Sequence, residues 1–181
     1  LSMINWKALQ AGEKDISKIA LRLASFYRTT LNKGHNITIV KDEMQNIQDY
    51  LELQLFMHDR SFDVVWAVDN DILLDKMPNL ILQPIVENAI NHGIDLKEEG
   101  KGILMIRGYH KENSVILQVI DNGIGIDAKG CEELLTRNTS GYGVKNVYDR
   151  IRLLYGEQAS LEITSSIGLG TTVTIKIPII T

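Results

Sequence analysis

The hydrophobic pattern of this 181-residue chain changes period near residue 60. Before that point apolar residues recur every three or four positions and proline is absent, which predicts amphipathic helix. A short opening helix is punctuated by Gly12. The next is predicted from an N-cap at Asp15, with Ile16, Ile19, Leu23, Tyr27 and Thr30 or Leu31 near one face and Asn32-Lys33-Gly34 as its stop. A further helix is predicted from about Lys41 to Asp59, with Met44, Ile47, Leu51 and Leu55 on one stripe. Two such helices joined by a short loop make a hairpin that cannot bury both stripes alone. A partner surface is expected, and a second copy of the chain is the simplest.

After Arg60 alternation takes over. Phe62, Val64, Trp66 and Val68 predict a strand, Leu80 to His92 a helix with Pro84 early, and Ile103–Tyr109 and Val115–Ile120 two strands around Glu112-Asn113. Val144, Val147, Ile151 and Leu154 predict another helix, ended by Gly156. Leu161–Thr164 and Thr171–Ile177 are the last strands, stopped by Pro178. The segment from Ile126 to Ser140 is polar and irregular and reads as a surface loop or a mobile cover. Clustered strands with short links and few crossovers predict an α+β fold, a layer of helices on a mixed, largely antiparallel sheet.

Composition narrows the classes. A net charge of −4 without a Lys/Arg cluster argues against nucleic acid as a partner. The single cysteine, Cys131, excludes an internal disulfide and fits a reducing compartment. No run of about eighteen apolar residues is present. The chain begins Leu1-Ser2-Met3-Ile4 at helical spacing, and we read it as part of something longer.

Four segments then carry chemistry. Asn88 and Asn91 stand three apart on one predicted helix, followed by His92-Gly93; a neutral amide oxygen suits Mg²⁺, although Asn91 and Gly93 also suit a helix C-cap. Asp121 ends a hydrophobic strand ahead of Asn122-Gly123-Ile124-Gly125. A buried Asp there can accept a hydrogen bond from an exocyclic amine such as that of adenine, and the glycines permit close backbone approach; an ordinary Asp-Asn-Gly turn is the alternative. Gly141-Tyr142-Gly143 precedes a helix beginning near Val144, which offers free N–H groups to phosphate. Lys145 and Arg150 can add charge or lie on a solvated face. Gly170-Thr171 opens the final strand, where its hydroxyl can reach the purine side. The usual phosphate loops, G-x-x-x-x-G-K-[ST] and G-x-G-x-x-G, are absent, as are the protein-kinase H-R-D and D-F-G sets.

Taken together, Asn88-Ala89, Asp121-x-Gly123-x-Gly125, Gly141-x-Gly143 and Gly170-Thr171 resemble the N, G1, G2 and G3 boxes of the GHKL (Bergerat-fold) ATPases. The strings Leu82-Gln83-Pro84-Ile85-Val86-Glu87-Asn88-Ala89-Ile90-Asn91-His92-Gly93 and Asn146-Val147-Tyr148-Asp149-Arg150-Ile151-Arg152-Leu153-Leu154-Tyr155-Gly156 resemble the LytS/YesM-type bacterial sensor histidine kinases, as does the helix with Tyr50-Leu51. The resemblance implies an α-helical dimerisation hairpin over 1–60 and a two-layer α/β sandwich ATP-binding domain over 61–181. It implies ATP and Mg²⁺, autophosphorylation of a histidine and onward transfer to a response-regulator aspartate. Asn88 would ligand Mg²⁺, Asp121 would read adenine, Gly123 and Gly125 would line the base pocket, and Gly141 and Gly143 would bound a lid. Asn91, His92, Tyr142, Val144 and Thr171 complete the expected nucleotide contacts, and Glu87 would orient a proton or a water. The acceptor histidine is expected just upstream of Leu1, since His58-Asp59 reads as a solvated helix end, His35 as loop and His110 as a strand end. A homodimer whose parent protein is anchored at the cytoplasmic face of the membrane is the implied setting. An anti-sigma serine kinase, another GHKL ATPase and a silent dimeric interaction module are the alternatives.

Overall fold

The computed structural model describes residues 1–31, 36–57, 61–136 and 143–179. The expected helix stop at Asn32-Lys33-Gly34, and His35, His58, Gly141 and Tyr142, lie outside the described residues. Helices α1 (Ser2–Gln10) and α2 (Lys14–Leu31) meet at a turn containing Gly12. Because α2 already begins at Lys14, Asp15 occupies its first turn rather than the cap position, where a carboxylate favours the positive helix end.

Strand β1 (Ile37–Ile39) leads directly into α3 (Val40–Met57) and pairs antiparallel with β3 (Lys76–Pro78). Three residues are too few to show a period, so only the pairing across the fold reveals these two strands. The main sheet has the order β2-β4-β5-β7-β6, built from β2 (Phe62–Val68), β4 (Gly102–Lys111), β5 (Ser114–Asp121), β6 (Ser160–Ser166) and β7 (Gly170–Pro178). Only β2 and β4 run parallel, and the crossover between them carries β3 and α4 (Gln83–Asn88). The other pairs are antiparallel, which gives the mixed sheet that the pattern predicts. Helices α5 (Ala128–Thr136) and α6 (Val144–Tyr155) complete the second layer.

One face of the sheet is apolar. Leu104, Ile106, Leu117 and Ile175 are fully buried on it, under Ile47, Ile85, Ile90 and Ile151 of the helices. The α3 stripe belongs to this core: Val40, Met44, Ile47 and Leu51 are buried with Met77 and Ile81. The expectation that both hairpin stripes await an outside partner is therefore corrected for α3, whose apolar face is covered by the α/β layer itself. Its other side meets α2, where Arg22 Nη1 donates to Asp49 Oδ1 at 2.8 Å. What stays uncovered is α1–α2, where Met3, Ile4, Trp6, Leu9 and Leu21 are exposed.

Two further expectations change. The helix predicted from Leu80 begins at Gln83, because Leu80 adopts φ 56, outside the helical region. The stretch read as irregular after Ile126 contains α5, started by Asp127, whose Oδ1 accepts the Gly130 N–H at 2.8 Å. That Asp is an N-cap signal visible in the sequence, with Leu134-Leu135 as the apolar pair behind it. No helix of the described residues is long and apolar enough to cross a membrane.

Candidate functional site

A cavity of about 510 Å³ opens between the sheet and helices α4, α5 and α6. One wall comes from α4 and its continuation, which winds into a π-helical turn over Ala89–Ile94, closed by the Asp95 N–H donating to the Ile90 carbonyl at 2.9 Å. Such turns add one residue to a helix and often mark sites of function. Ile85, Asn88, Ala89, His92 and Gly93 all reach the cavity from this segment. Glu87 and Asn91 do not. Glu87 lies on a different side of the helix and accepts a hydrogen bond from Gln83 Nε2 at 2.7 Å, while Asn91 is exposed outside the lining.

Asp121, at the end of β5, supplies the floor and is only 6 % exposed. Its Oδ1 accepts the Gly123 N–H at 2.8 Å. Burial raises its pKa above the ordinary carboxylate value, opposed by the Gly123 and Thr171 N–H groups and by the charge of Lys97. A carboxylate so placed is an acceptor for a donor entering the cavity. Val119, Val173 and Thr171 flank it from the sheet, and Thr171 Oγ1 lies 2.9 Å from Ser165 Oγ.

The glycines around Asp121 serve the protein's own backbone first. At Gly123 a Cβ would stand 2.2 Å from the Gly93 carbonyl carbon, and the next residue, Ile124, donates its N–H to the Gly93 oxygen at 3.2 Å. Gly123 therefore zips the strand end to the π turn and does not line the cavity, contrary to the expected role in the base pocket. Gly125 does line it; it has φ 66, and a Cβ there would stand 2.0 Å from the Ser166 carbonyl oxygen. The Ile124 carbonyl accepts the Gly168 N–H at 2.7 Å, which binds this loop to the β6–β7 turn.

The remaining wall is polar at one end. Gly143 caps α6 in extended conformation without a side-chain cap, and Gly143, Val144 and Lys145 line the cavity. First-turn N–H groups of a helix have no intrahelical acceptor, so this end suits an anion. Lys145 pairs with Asp149 one turn on, leaving a cation at the cavity edge that sequence spacing alone did not distinguish from a solvated face. Arg150 is not there; it turns toward Asn79. Glu133 and Leu134 of α5 also line the cavity; the polar, irregular pattern of that segment gives no sign of this in the sequence.

The residues fit a magnesium nucleotide. Aliphatic side chains flank a buried acceptor, while an amide, a lysine and a helix start gather elsewhere on the same lining, and the volume lies within the range of small-molecule clefts. Among the described residues no group of three or more His, Cys, Asp or Glu side chains is placed to hold a metal. An ion here would take most of its ligands from phosphate and water, as Mg²⁺ characteristically does.

Residues 76–181 match the sequence model described as histidine kinase-, DNA gyrase B-, and HSP90-like ATPase, and residues 1–62 match that of a histidine kinase family. The chain belongs to this ATPase family, and its sheet and helices form the α/β sandwich that the motif resemblance implied. Among known proteins it is 30% identical to the sensor histidine kinase YesM of Bacillus subtilis, over 98% of this chain and 30% of that protein. It is 35% identical to the sensor histidine kinase YpdA of Escherichia coli, over 72% of this chain and 23% of that protein. The chain thus spans less than a third of these relatives. A solved histidine kinase domain from the blue-light activated kinase of Erythrobacter litoralis shares the fold with a TM-score of 0.58 at 20% identity, over 98% of this chain and 83% of that one. Membership of an ATPase family supports ATP as what this chain uses.

Proposed function

We propose that this chain is the ATP-binding catalytic part of a two-component sensor histidine kinase. The observation that carries the reading is the gathering of Asn88, Asp121 and the start of α6 around one cavity. In this reading the Asp121 carboxylate accepts the exocyclic amine of adenine, and Ile85, Ala89, Val119 and Val173 contact the purine. The first turn of α6 and Lys145 hold the phosphates, and His92 and Thr171 complete the contacts. Mg²⁺, held by the Asn88 amide oxygen, would neutralise charge developing on the phosphates. In this reading a histidine of the kinase receives the γ-phosphoryl group. An imidazole nitrogen forms the new P–N bond as the bond to the β–γ bridging oxygen of ATP breaks, ADP leaves, and the imidazole proton passes to solvent. Positioning and electrostatics supply most of the rate in such transfers.

The exposed apolar residues of α1 and α2 support a homodimer through this helical pair. A response regulator would receive the phosphoryl group on an aspartate. The parent protein would lie at the cytoplasmic face of the bacterial membrane, anchored by segments beyond this chain. Glu87, held by Gln83 away from the lining, is assigned no part in the transfer.

The test is a longer form of the protein that includes the residues upstream of Leu1. Incubated with γ-labelled ATP and Mg²⁺, it should gain acid-labile phosphohistidine, and Asn88→Ala should abolish the label. Acid-stable phosphoserine on a partner, or phosphate release without labelling, would move the assignment to another reaction of the same fold.

A further inference from the structure

Helix α4 carries Asn88 but has no cap of its own: Leu82 stands at its N-cap without a side-chain hydrogen bond, and Pro84 follows. The missing acceptor comes from 39 residues earlier. Glu43, on α3, accepts the Leu80 N–H with Oε2 at 2.9 Å and the Leu82 N–H with Oε1 at 3.0 Å. It is 1 % exposed. A carboxylate taken so far out of water is costly unless its oxygens are used, so a role confined to filling space would be better served by an apolar residue. The loop it grips is not self-supporting, since Leu80 sits at φ 56 without being glycine.

The same loop is held from its other side. Arg150, on α6, donates through Nη1 to the Asn79 carbonyl at 2.5 Å and through Nη2 to the Asn36 carbonyl at 3.3 Å. Asn79–Leu82 is therefore a junction where α3 and α6 are both bonded to the start of α4. Asn88 lies less than two turns beyond that start, and α6 begins less than two turns before Arg150. Asp121 depends on it less, because the β5–β7 ladder and the Gly123 N–H also hold it.

We propose that Glu43 and Arg150 are positioning residues that set the spacing between Asn88 and the first turn of α6, and so govern the phosphate side of the cavity more strongly than the purine side, where Ile85 of α4 and Ala89 of its continuation share the contact with Asp121, Val119 and Val173 of the sheet. The assignment rests on the nucleotide-site reading above. It also makes the placement of α3 and the affinity for triphosphate mutually dependent, since coupling between two equilibria is reciprocal.

The test uses the chain as it stands, with Glu43→Gln and Arg150→Gln compared with wild type. Each is titrated separately with ATP plus Mg²⁺ and with adenosine, followed by two-dimensional amide NMR. Replacing one acceptor oxygen or both guanidinium donors should weaken ATP by about tenfold and adenosine by about twofold or less. Arg150→Lys, which keeps charge and one donor, should recover part of the loss. Equal losses for both ligands would mark a general loosening of the fold and overturn the proposal, as would unchanged ATP binding in the two variants. Arg150 is only partly buried, so its variant decides the matter if Glu43→Gln fails to fold. A wild-type chain that binds neither ligand would remove the nucleotide site itself, and this assignment with it.

Discussion

Gly123→Ala isolates the claim that the glycines near Asp121 exist for backbone contact. Gly123 does not have a left-handed φ, so a methyl group brings no conformational strain and its effect is steric alone. The new carbon would lie 2.2 Å from the Gly93 carbonyl carbon and 2.5 Å from both its Cα and its oxygen. Ordinary carbon contacts begin near roughly 3.5 Å, so the strand end and the π turn must part by about 1 Å. All three opposing atoms are backbone and cannot rotate away. Overpacking of this kind costs about 1–3 kcal/mol, and loss of the bond from the Ile124 N–H to the Gly93 oxygen adds about 1 kcal/mol. A total of about 3 kcal/mol corresponds to a fall in Tm of roughly 6–12 °C for a chain of this length. Scanning calorimetry of the two proteins reads this directly, and calorimetric titration with ATP should show weaker binding as Asp121 moves from the α4 wall. A Tm within about 1 °C of wild type would refute the steric argument.

Three further outcomes are expected. Asp121→Asn replaces one acceptor oxygen with a donor facing the cavity and should weaken ATP by about tenfold to a hundredfold, read by titration; undiminished affinity would exclude Asp121 as the purine acceptor. His110 is clamped by Asp75 at 2.6 Å on Nε2 and by Asp71 at 3.3 Å on Nδ1, and the bond to Asp75 is the main cause of its raised pKa. The folded state therefore holds this proton more tightly than the unfolded chain does. The stabilisation is complete below the ordinary histidine value and is lost as pH rises through the folded one, so urea midpoints should fall over that window in wild type and less in His110→Gln. Arg22→Ala takes the guanidinium from the fully buried Asp49, leaving Gln45 Nε2 at 3.2 Å on Oδ1 and Oδ2 without a hydrogen bond, and should cost about 2 kcal/mol and release α2 from α3, seen as faster amide exchange in α2; unchanged exchange would show that the pair does not hold the helices.

The motifs around the cavity were legible because each is a local solution to a local problem. An Asp at a strand end, glycines at crossings and a helix start after Gly143 can all be recognised over a few residues. Glu87 and Asn91 show the limit of this. Both stand within the same recognisable string as Asn88, yet a helix turns about 100° per residue, so neighbours in sequence point to different surroundings. Helix α5 is harder to read for a different reason: its apolar stripe is short, so the N-cap signal at Asp127 stands almost alone until packing against α6 and the cavity supports it.

The order of apolar and polar residues determines most of the strands and helices here, together with the residues able to meet a nucleotide, because those depend on interactions only a few positions apart. Tertiary structure alone decides what each apolar face is buried against. It buries the α3 stripe in the α/β core and leaves Met3, Ile4, Trp6 and Leu9 of α1 and Leu21 of α2 exposed. It also pairs β1 with β3, and it brings the carboxylate of Glu43 to the head of a helix 39 residues away. A stripe shows that burial is needed but does not name the surface that supplies it, and a buried charge shows its partner only once the chain has closed around both.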